Sequence, residues 1–336
     1  MPSTSVIILN WNGLEQLRSF LPSVVKHTND AEIIIADNAS TDTSIDWLKQ
    51  NYPQIRRIEL SKNTGYAGGY NEAIKQVTSD YLVLLNSDVE VTENWLPPVI
   101  ALMESDSTIA ACQPKILSER NRGFFEYAGA AGGFIDKYGV PYCRGRVFAT
   151  IEKDQGQYNT VTDIFWASGA CLVIRNDVFK NSGGFDTDFF AHMEEIDLCW
   201  TIHRMGYKIV YCPTSTIYHV GAATLKKESP KKTFLNFRNS LFMLYKHLPT
   251  KSLVVILFLR LCMDGAAGIH YLINGQWKHT LAIIEAHMAF YFTKNKHSKR
   301  SKSSAYPFFY VNQKTILDKS VIVEYYLKGR KKFNQI

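Results

Sequence analysis

Acidic residues crowd one short stretch of the chain, 192–197, where three carboxylates fall within four positions: Glu194, Glu195 and Asp197. Adjacent carboxylates raise one another's pKa, so one of them could act as a general base near neutral pH. The neighbouring side chains are largely apolar, and a buried acid needs a structural or functional reason. The alternative is an ordinary solvated first turn of a helix, whose dipole stabilises acids.

A second group of candidate residues follows runs of β-branched and leucine residues. Asp88, in Asn86-Ser87-Asp88, could bind a divalent cation through oxygen at the end of a buried strand. Asp37 could accept hydrogen bonds from a nucleotide base or ribose, and His219 could join Asp88 as a metal ligand. The alternatives are turn formation or helix capping for the two aspartates and a purely structural role for the histidine.

A glycine-rich stretch, Asn63–Asn71, reads Asn-Thr-Gly-Tyr-Ala-Gly-Gly-Tyr-Asn. Glycine lets a backbone approach a phosphate closely, and the N-terminus of a following helix favours an anion. The spacing matches neither a Walker loop nor G-x-G-x-x-G, so the stretch alone does not identify a nucleotide site.

Alternating strands and helices must position these residues. The sequence predicts strands over 5–9, 32–36, 57–60 and 81–85, and helices over 14–27, 44–51 and 70–78. This alternation is typical of a parallel sheet with helices on both faces. Such sheets bind ligands at the carboxyl ends of their strands, so Asp37, Asn63 and Asp88 are expected at one edge. Further on, residues 110–165 are expected to be less regular, with a strand over 167–174 and helices near 176–181 and 189–206.

The chain changes character near residue 226. Residues 226–336 contain 20 Lys or Arg and 5 Asp or Glu, a net charge of +15, whereas residues 1–225 carry a net charge of −8. An acidic front part suits metal chemistry, and a basic tail suits an anionic surface. We therefore predict two domains, 1–225 and 226–336, with the second mainly helical over 235–247, 253–273 and 280–292.

The segment 252–273 is the best membrane candidate. A spanning helix needs about 20 apolar residues, but Arg260, Asp264 and His270 interrupt this run. Arg260 and Asp264 are four residues apart and could pair on one face, which favours an interfacial or bundle helix over a full span. Basic residues expected to contact anionic lipid headgroups are Lys294, Lys296, Lys299, Arg300, Lys302, Lys328, Arg330, Lys331 and Lys332. The alternative is a solvated helical subdomain packed on the front domain.

Composition limits the class of protein. A hydrophobic fraction of 46% with 21% charged residues excludes a disordered chain. Six scattered cysteines without a C-x-x-C pair disfavour a zinc ribbon or a disulfide scaffold and suit a reducing compartment. The N-terminus has no signal-peptide pattern, so we expect a cytoplasmic protein, peripheral at the inner face of the cell membrane. No recognised nucleic-acid module accompanies the basic charge, so nucleic acid is not an expected partner.

Taken together over residues 3–225, these segments resemble a family 2 glycosyltransferase of GT-A fold, and the rhamnosyltransferase-like branch is the most similar. The segments are Val6–Gly13, Ile33–Asp42, Asn63–Asn71, Leu84–Val91, Ser168–Ile174, Phe190–Leu198 and His219. The resemblance implies an α/β fold, Rossmann-like, with a mixed and mainly parallel sheet. It also implies inverting transfer of a sugar from a nucleoside diphosphate donor, dTDP-rhamnose or a UDP-sugar, to a hydroxyl of a glycan or lipid-linked saccharide in cell-wall or polysaccharide biosynthesis.

The resemblance assigns roles to single residues. Asp37 would contact the nucleotide base, and other donor-pocket residues would be Asn10, Asn63, Gly65, Asn71 and Asn86. Asn86-Ser87-Asp88 matches the D-x-D motif of the family, so Asp88, joined by His219, would bind Mg²⁺ or Mn²⁺. Glu194-Glu195 matches the Glu-Asp pair of the family, so Glu195 would be the base.

Three positions depart from the family pattern. Asn86 replaces an Asp, so the metal site loses a charge, and Glu195 replaces an Asp, so its longer arm shifts the carboxylate. Thr201 stands where the family often has Arg, with Arg204 as a candidate substitute.

Candidates for contacts with the sugar or acceptor are Trp166, Asp197 and Arg204. Trp166 could stack on a sugar ring or belong to the core. The departures at Asn86 and Glu195 leave open a second interpretation, a non-catalytic nucleotide-sugar-binding or scaffold protein of the same fold.

Overall fold

The computed structural model describes residues 2–221, 229–297 and 313–336. The strands are β1 Thr4–Asn10, β2 Glu32–Asp37, β3 Arg56–Glu59, β4 Tyr81–Asn86, β5 Val89–Val91, β6 Ile109–Ser118, β7 Gly133–Asp136, β8 Pro141–Cys143, β9 Arg146–Val147, β10 Thr150–Ile151, β11 Thr162–Asp163, β12 Cys171–Arg175, β13 Lys208–His219 and β14 Ile316–Leu317. The α-helices are α1 Leu14–His27, α2 Ser44–Asn51, α3 Gly65–Ile74, α4 Pro97–Ser105, α5 Asn176–Ser182, α6 Glu194–Arg204, α7 Pro230–His247, α8 Thr250–Ile273 and α9 Trp277–His297. The strands and helices predicted before residue 61 are confirmed to within one residue at each end.

The main sheet is mixed, in the order β11-β13-β6-β12-β4-β1-β2-β3, with β5 paired to β13. Strands β3, β2, β1 and β4 run parallel, whereas β12 is antiparallel to both of its neighbours. The register pairs Asn10 with Asp37 and Leu9 with Asn86, so these polar residues reach the same edge of the sheet. The predicted α/β class with a mainly parallel sheet is confirmed.

Helices cover both faces of this sheet. On one face, α1, α2 and α4 bury side chains such as Leu17, Leu48 and Met103. On the other face, α3, α5 and α6 bury side chains such as Tyr70 and Phe179. Because the central strands are covered on both sides, they read as continuous apolar runs rather than alternating ones.

A second, smaller sheet has the order β10-β9-β8-β7-β14. Its last strand comes from the C-terminal segment 313–336, which also packs Phe333 against Phe134 and Tyr142. Strands β7 to β10 of this sheet, and all but the first residue of the ten-residue strand β6, fall within 110–165, the stretch expected to be less regular, so that expectation was wrong for β6. Strand β6 is almost wholly buried, and a buried strand lacks the alternation that marks a half-exposed one.

The glycine-rich stretch differs from the prediction as well. Helix α3 starts at Gly65 rather than at residue 70, so most of the stretch is helical. A Cβ atom at Gly69 would lie 2.8 Å from Leu9 Cδ1, so glycine there lets α3 pack closely on β1. The helix expected over 189–206 is also shorter, because residues 189–193 form an irregular turn before Glu194.

The C-terminal helices pack on the front part of the chain and on one another. Ser229 caps α7 by accepting a hydrogen bond from Lys232 N at 3.2 Å, with Pro230 in the first turn. The predicted boundary between 225 and 226 lies outside the described residues, so the two-domain division stays a prediction. Lys299, Arg300 and Lys302 also lie outside the described residues.

Helix α8 is the one described helix that is long and apolar enough to cross a membrane by length and composition. Of the three residues that interrupt its apolar run, Arg260 and Asp264 are buried and His270 is exposed. Arg260 Nε lies 3.3 Å from Asp264 Oδ1, as their spacing predicts, and His287 Nε2 lies 3.0 Å from Asp264 Oδ2. Exposed apolar side chains on α8 and α9 include Val254, Val255, Phe258, Leu261, Ile269, Leu272, Ile273, Trp277, Leu281, Ile284, Met288 and Phe292.

Candidate active site

The ends of β1 and β2 carry a small polar network. Asn10 Nδ2 donates to Asp37 Oδ1 at 2.9 Å, and also to Ser40 Oγ at 3.1 Å and Ser44 Oγ at 2.9 Å. Asp37 also accepts from Ser40 N at 3.0 Å and is 4% exposed. The structure thus brings Asn10 and Asp37 together at the sheet edge. Asp37 also forms a turn with Ser40, which was the alternative to its predicted contact with a nucleotide base.

Asn63 and Gly65 lie together at the start of α3, whereas Asn71 is engaged elsewhere. Asn63 Oδ1 accepts from Gly65 N at 2.8 Å. Asn71 Nδ2 donates to Phe185 O at 2.8 Å, and Asn71 Oδ1 accepts from Phe185 N at 3.0 Å. The Asn71 amide therefore makes two reciprocal hydrogen bonds with the backbone of Phe185, as two paired strand residues do, and so connects α3 to that segment.

Asp88, His219 and Glu126 form a buried charged cluster, which we call the Asp88 cluster. His219 Nε2 lies 3.2 Å from Asp88 Oδ1, and His219 Nδ1 lies 3.3 Å from Glu126 Oε2. Burial opposes the charge on His219, but the two carboxylates outweigh it and raise the pKa of His219 to about 10. Burial likewise opposes ionisation of Asp88, but the charge of His219 and its hydrogen bond lower the pKa of Asp88.

Sequence reasoning missed Glu126. A signal was available, because Glu126 is a lone acid among aromatic residues in Phe124-Phe125-Glu126-Tyr127. Such an acid is expected to be buried and paired. Its partner, His219, could not be read from the sequence, because strand β13 brings it in from a distant part of the chain.

The residues around Asp88 offer few metal ligands from the protein. In the three described stretches of chain, no group of three or more His, Cys, Asp or Glu side chains is arranged to hold a metal ion. Asp88 and His219 nevertheless face each other, with Asn86 Nδ2 3.4 Å from His219 Nε2. Carboxylate and amide oxygens suit Mg²⁺ or Mn²⁺, and such ions commonly complete their shell with water and substrate phosphates. Coordination by His219 would require loss of its proton.

Glu194 and Glu195 begin α6 and contrast with the Asp88 cluster. Glu194 is buried and Glu195 is partly exposed. The Oε2 atom of each is enclosed and has no hydrogen-bond partner among the described residues. Burial and the charge of Glu195 raise the pKa of Glu194 well above its usual range, and burial raises the pKa of Glu195 to about 7. A carboxylate with that pKa can accept a proton near neutral pH.

Asp197, on the same helix, has two side-chain partners, the ammonium of Lys246 and the imidazole of His247. Lys246 Nζ lies 2.5 Å from Asp197 Oδ2, and His247 Nε2 lies 2.9 Å from Asp197 Oδ1. Burial opposes its ionisation, but Lys246 and His247 outweigh burial and lower the pKa of Asp197. Lys246 of α7 is therefore one cation that pairs with the acidic stretch; Arg204, which the sequence suggested as a candidate, lies at the end of α6.

Trp166 and Asp197 are both buried, at 4% and 2% exposure. Trp166 Nε1 donates to Phe134 O at 3.0 Å, and its ring lies against Gly133. A role for Trp166 in the hydrophobic core, which was the alternative to stacking on a sugar ring, accounts for this placement.

Helix α3 links the Asp88 side of the site to the acid pair. Tyr66 OH donates to Gly169 O at 2.8 Å, next to Ala170, whose carbonyl accepts from Asn86 N at 3.0 Å. Tyr66 N donates to Phe190 O at 2.9 Å, in the turn that precedes Glu194. One tyrosine therefore contacts segments that lead to both groups.

Sequence similarity to known proteins covers most of the front part of the chain. The family model described as "Glycosyl transferase family 2" matches residues 5–183. An N-acetylglucosaminyl-diphospho-decaprenol L-rhamnosyltransferase of Mycobacterium tuberculosis is 26% identical over 234 residues, which are 64% of this chain and 75% of that protein.

Two solved structures share the fold. S. aureus TarS in complex with UDP-GlcNAc has a TM-score of 0.57 at 14% identity, covering 87% of this chain and 81% of that one. GalNAc-T7 with UDP, GalNAc and Mn²⁺ has a TM-score of 0.58 at 17% identity, covering 73% of this chain. The match covers 48% of the GalNAc-T7 chain, so this protein spans about half of it.

Proposed function

The chain belongs to glycosyl transferase family 2, and from that premise we propose that it transfers a sugar, with inversion, from a nucleoside diphosphate donor to an acceptor hydroxyl. The observation that carries this proposal is the state of Glu195. It lies at the start of α6, is partly exposed, and has a carboxylate oxygen without a hydrogen-bond partner among the described residues. Burial raises the pKa of Glu195 to about 7, which suits a general base.

The proposed reaction is a single displacement. Glu195 takes the proton from the acceptor hydroxyl, and the acceptor oxygen bonds to the anomeric carbon. The bond from that carbon to the diphosphate oxygen breaks, and the nucleoside diphosphate leaves from the opposite face. One such displacement inverts the anomeric centre. Burial and the charge of Glu195 raise the pKa of Glu194 well above its usual range, so Glu194 would stay protonated beside the base.

Asn86, Asp88 and His219 are the proposed ligands of a divalent cation, Mg²⁺ or Mn²⁺. The lowered pKa of Asp88 keeps its carboxylate ionised, which suits a cation ligand. Bound there, the cation would offset negative charge on the departing diphosphate. The GalNAc-T7 structure was solved with Mn²⁺ and UDP, which supports the same expectation for this chain.

The proposed donor is dTDP-rhamnose or a UDP-sugar, and the proposed acceptor is a saccharide on a lipid carrier. The M. tuberculosis relative is named as a rhamnosyltransferase acting on a decaprenol-linked sugar, and TarS was solved with UDP-GlcNAc. Asn10 and Asp37, together at the sheet edge, and Asn63 and Gly65, at the start of α3, are the proposed donor-pocket residues.

The test combines a donor panel with a base variant. Purified protein is incubated with dTDP-rhamnose or UDP-sugars, Mn²⁺ and a polyprenyl-diphosphate-linked saccharide, and released nucleoside diphosphate and the anomeric configuration of the product are measured. We expect turnover with one donor and an inverted product. Full turnover by Glu195→Gln, or a retained configuration, would overturn the mechanism.

We also propose that the exposed apolar face of α8 and α9 lies on the anionic inner surface of the cell membrane. Buried Arg260 and Asp264 turn the polar face of α8 inward, which leaves Phe258 and Leu261 outward. Cations beside this face include Lys278 and Lys294. Of the basic residues expected to meet lipid near the C-terminus, Lys328 and Arg330 are ion-paired with Glu324.

Vesicle binding tests this surface. The double variant Phe258→Glu, Leu261→Glu is expected to reduce sedimentation with vesicles of anionic phospholipid. Its control, Gln50→Glu with Gln54→Glu, adds the same charge at exposed positions around the end of α2 and should bind as the unaltered chain does. Equal binding by all three proteins would contradict a membrane role for this face.

A further inference from the structure

The turn that precedes Glu194, residues 189–193, has an unusual backbone. Phe190, His192 and Met193 have φ values of 61°, 70° and 73°. Residues other than glycine rarely adopt this left-handed region, and such residues persist only where surrounding structure holds them. The question is therefore which parts of the molecule hold this turn.

Helix α3 holds one side of the turn. Tyr66 N donates to Phe190 O at 2.9 Å. A Cβ atom at position 65 would lie 2.5 Å from the same carbonyl oxygen, so Gly65 is required for this approach. The contact joins the turn to the proposed donor pocket.

Helix α7 holds the other side through one side chain. Asn239 is fully buried, and its Nδ2 lies 3.0 Å from Phe189 O, 3.0 Å from Ala191 O and 2.7 Å from His192 O. A single amide nitrogen therefore faces three carbonyl oxygens of the turn. The Asn239 side chain therefore contacts the strained backbone at three of its carbonyl groups.

The neighbouring residue fixes the orientation of that amide. Arg238 donates to Asn239 Oδ1 from Nε at 3.0 Å and from Nη2 at 2.8 Å. A guanidinium can only donate and a carbonyl can only accept, so the oxygen of the amide must face Arg238 and the nitrogen must face the turn. Arg238 Nη2 also donates to Asp188 O at 3.0 Å, just before the turn.

The same helix holds α6 beyond the turn. Lys246 and His247 bind Asp197, two residues after Glu195, and Lys246 also lies 2.8 Å from Asp186 Oδ2. Helix α7 thus holds the chain both before Glu194, at the turn, and after Glu195, at Asp197.

We infer that Asn239 is a positioning residue for sugar transfer, because its side-chain amide holds the 189–193 turn in the conformation that presents Glu195 to the acceptor. This inference rests on the proposed function of Glu195. It makes α7, from the basic C-terminal region, a required part of the reaction centre. Asn239 acts through the backbone of the turn and does not itself touch the reacting atoms.

The test is Asn239→Asp in the full chain. Aspartate has the same shape and keeps an acceptor for Arg238, but it loses the amide donors and places a carboxylate oxygen against three carbonyls. We expect kcat to fall by about 10–10²-fold, since a displacement of roughly 1 Å at the base has that effect. The KM for the donor and donor affinity by calorimetry should be unchanged. Asn239→Ala, which removes the donors without adding charge, should show the same split.

The matched control is Asn236→Asp, the same substitution on the same helix at a partly exposed position. It should retain kcat and KM. The inference is overturned if both Asn239 variants keep full kcat, or if kcat, donor affinity and the fraction of folded protein by circular dichroism fall together. Glu195→Gln is assayed in parallel. Full turnover by that variant refutes the proposed base, whereas an inactive Glu195→Gln beside a fully active Asn239→Asp refutes only the role of Asn239.

Discussion

The Asp88 cluster and the Glu194–Glu195 pair both contain enclosed carboxylate oxygens, but the pKa values of the two groups are shifted in opposite directions. Asp88 and Glu126 share a histidine, and the pKa of Asp88 is lowered. Glu194 and Glu195 each keep a buried oxygen without a hydrogen-bond partner among the described residues, and their pKa values are raised. The partners of a buried carboxylate therefore decide whether it remains an anion or accepts a proton.

The same contrast occurs within one helix. Asp197 and Glu195 lie two residues apart on α6, but only Asp197 meets Lys246 and His247. The pKa of Asp197 is lowered and that of Glu195 is raised to about 7. Neighbours in sequence can thus have different chemistry, because α7 contacts one side of α6.

The largest effect is expected from Glu195→Gln. Loss of a general base should lower kcat by about 10²–10⁴-fold, while donor affinity by calorimetry stays unchanged. Glu194→Gln should cost less, because Glu194 is not the proposed base and its raised pKa favours the protonated form that glutamine resembles. The reverse order of the two losses would transfer the role of base to Glu194.

Lys246→Met tests the paired acid. Removing a buried ammonium leaves Asp197 and Asp186 without their cation, so the free energy of unfolding should fall by about 3–5 kcal/mol. Chemical denaturation measures this value. Lys49→Met breaks an exposed pair with Glu59 and should change it by about 0–1 kcal/mol. Equal effects of the two variants would contradict a special role for the buried pair.

Asp88→Asn tests the Asp88 cluster. The Mn²⁺ concentration that gives half-maximal rate should rise by at least about tenfold, because an ionised ligand is lost. Asp30→Asn, at an exposed position, serves as the control and should not change the Mn²⁺ requirement. An unchanged requirement in Asp88→Asn would place the cation elsewhere or exclude it from the reaction.

The pH dependence of kcat/KM and of stability tests the raised pKa of Glu195. Because burial raises the pKa of Glu195 to about 7, kcat/KM should fall by about tenfold per pH unit below that value, where the protonated base cannot accept a proton. The same shift should lower fold stability as pH rises from 4.5 to 7, since the unfolded chain loses the proton first. A rate that is flat across this range would contradict the assignment of Glu195.

The sequence by itself determined the alternation of strands and helices, the polar ends of β1, β2 and β4, and the acidic stretch at Glu194. These features are local, because strand ends and apolar periodicity are encoded by residues close together along the chain. Together with the resemblance of several segments to family 2 glycosyltransferases, they predicted the family and the fold that the comparisons support. Buried strand β6 and the glycine-rich start of α3 escaped this reasoning, because burial on all sides removes the periodic signal.

Only the tertiary structure decided which charges have partners. Glu126 meets His219, Lys246 meets Asp197, and the amide of Asn239 meets the 189–193 turn, each across a long stretch of chain. No local pattern encodes such pairs, because they depend on how strands and helices from distant segments pack. The sequence thus supplied the acids, and packing decided which of them have partners.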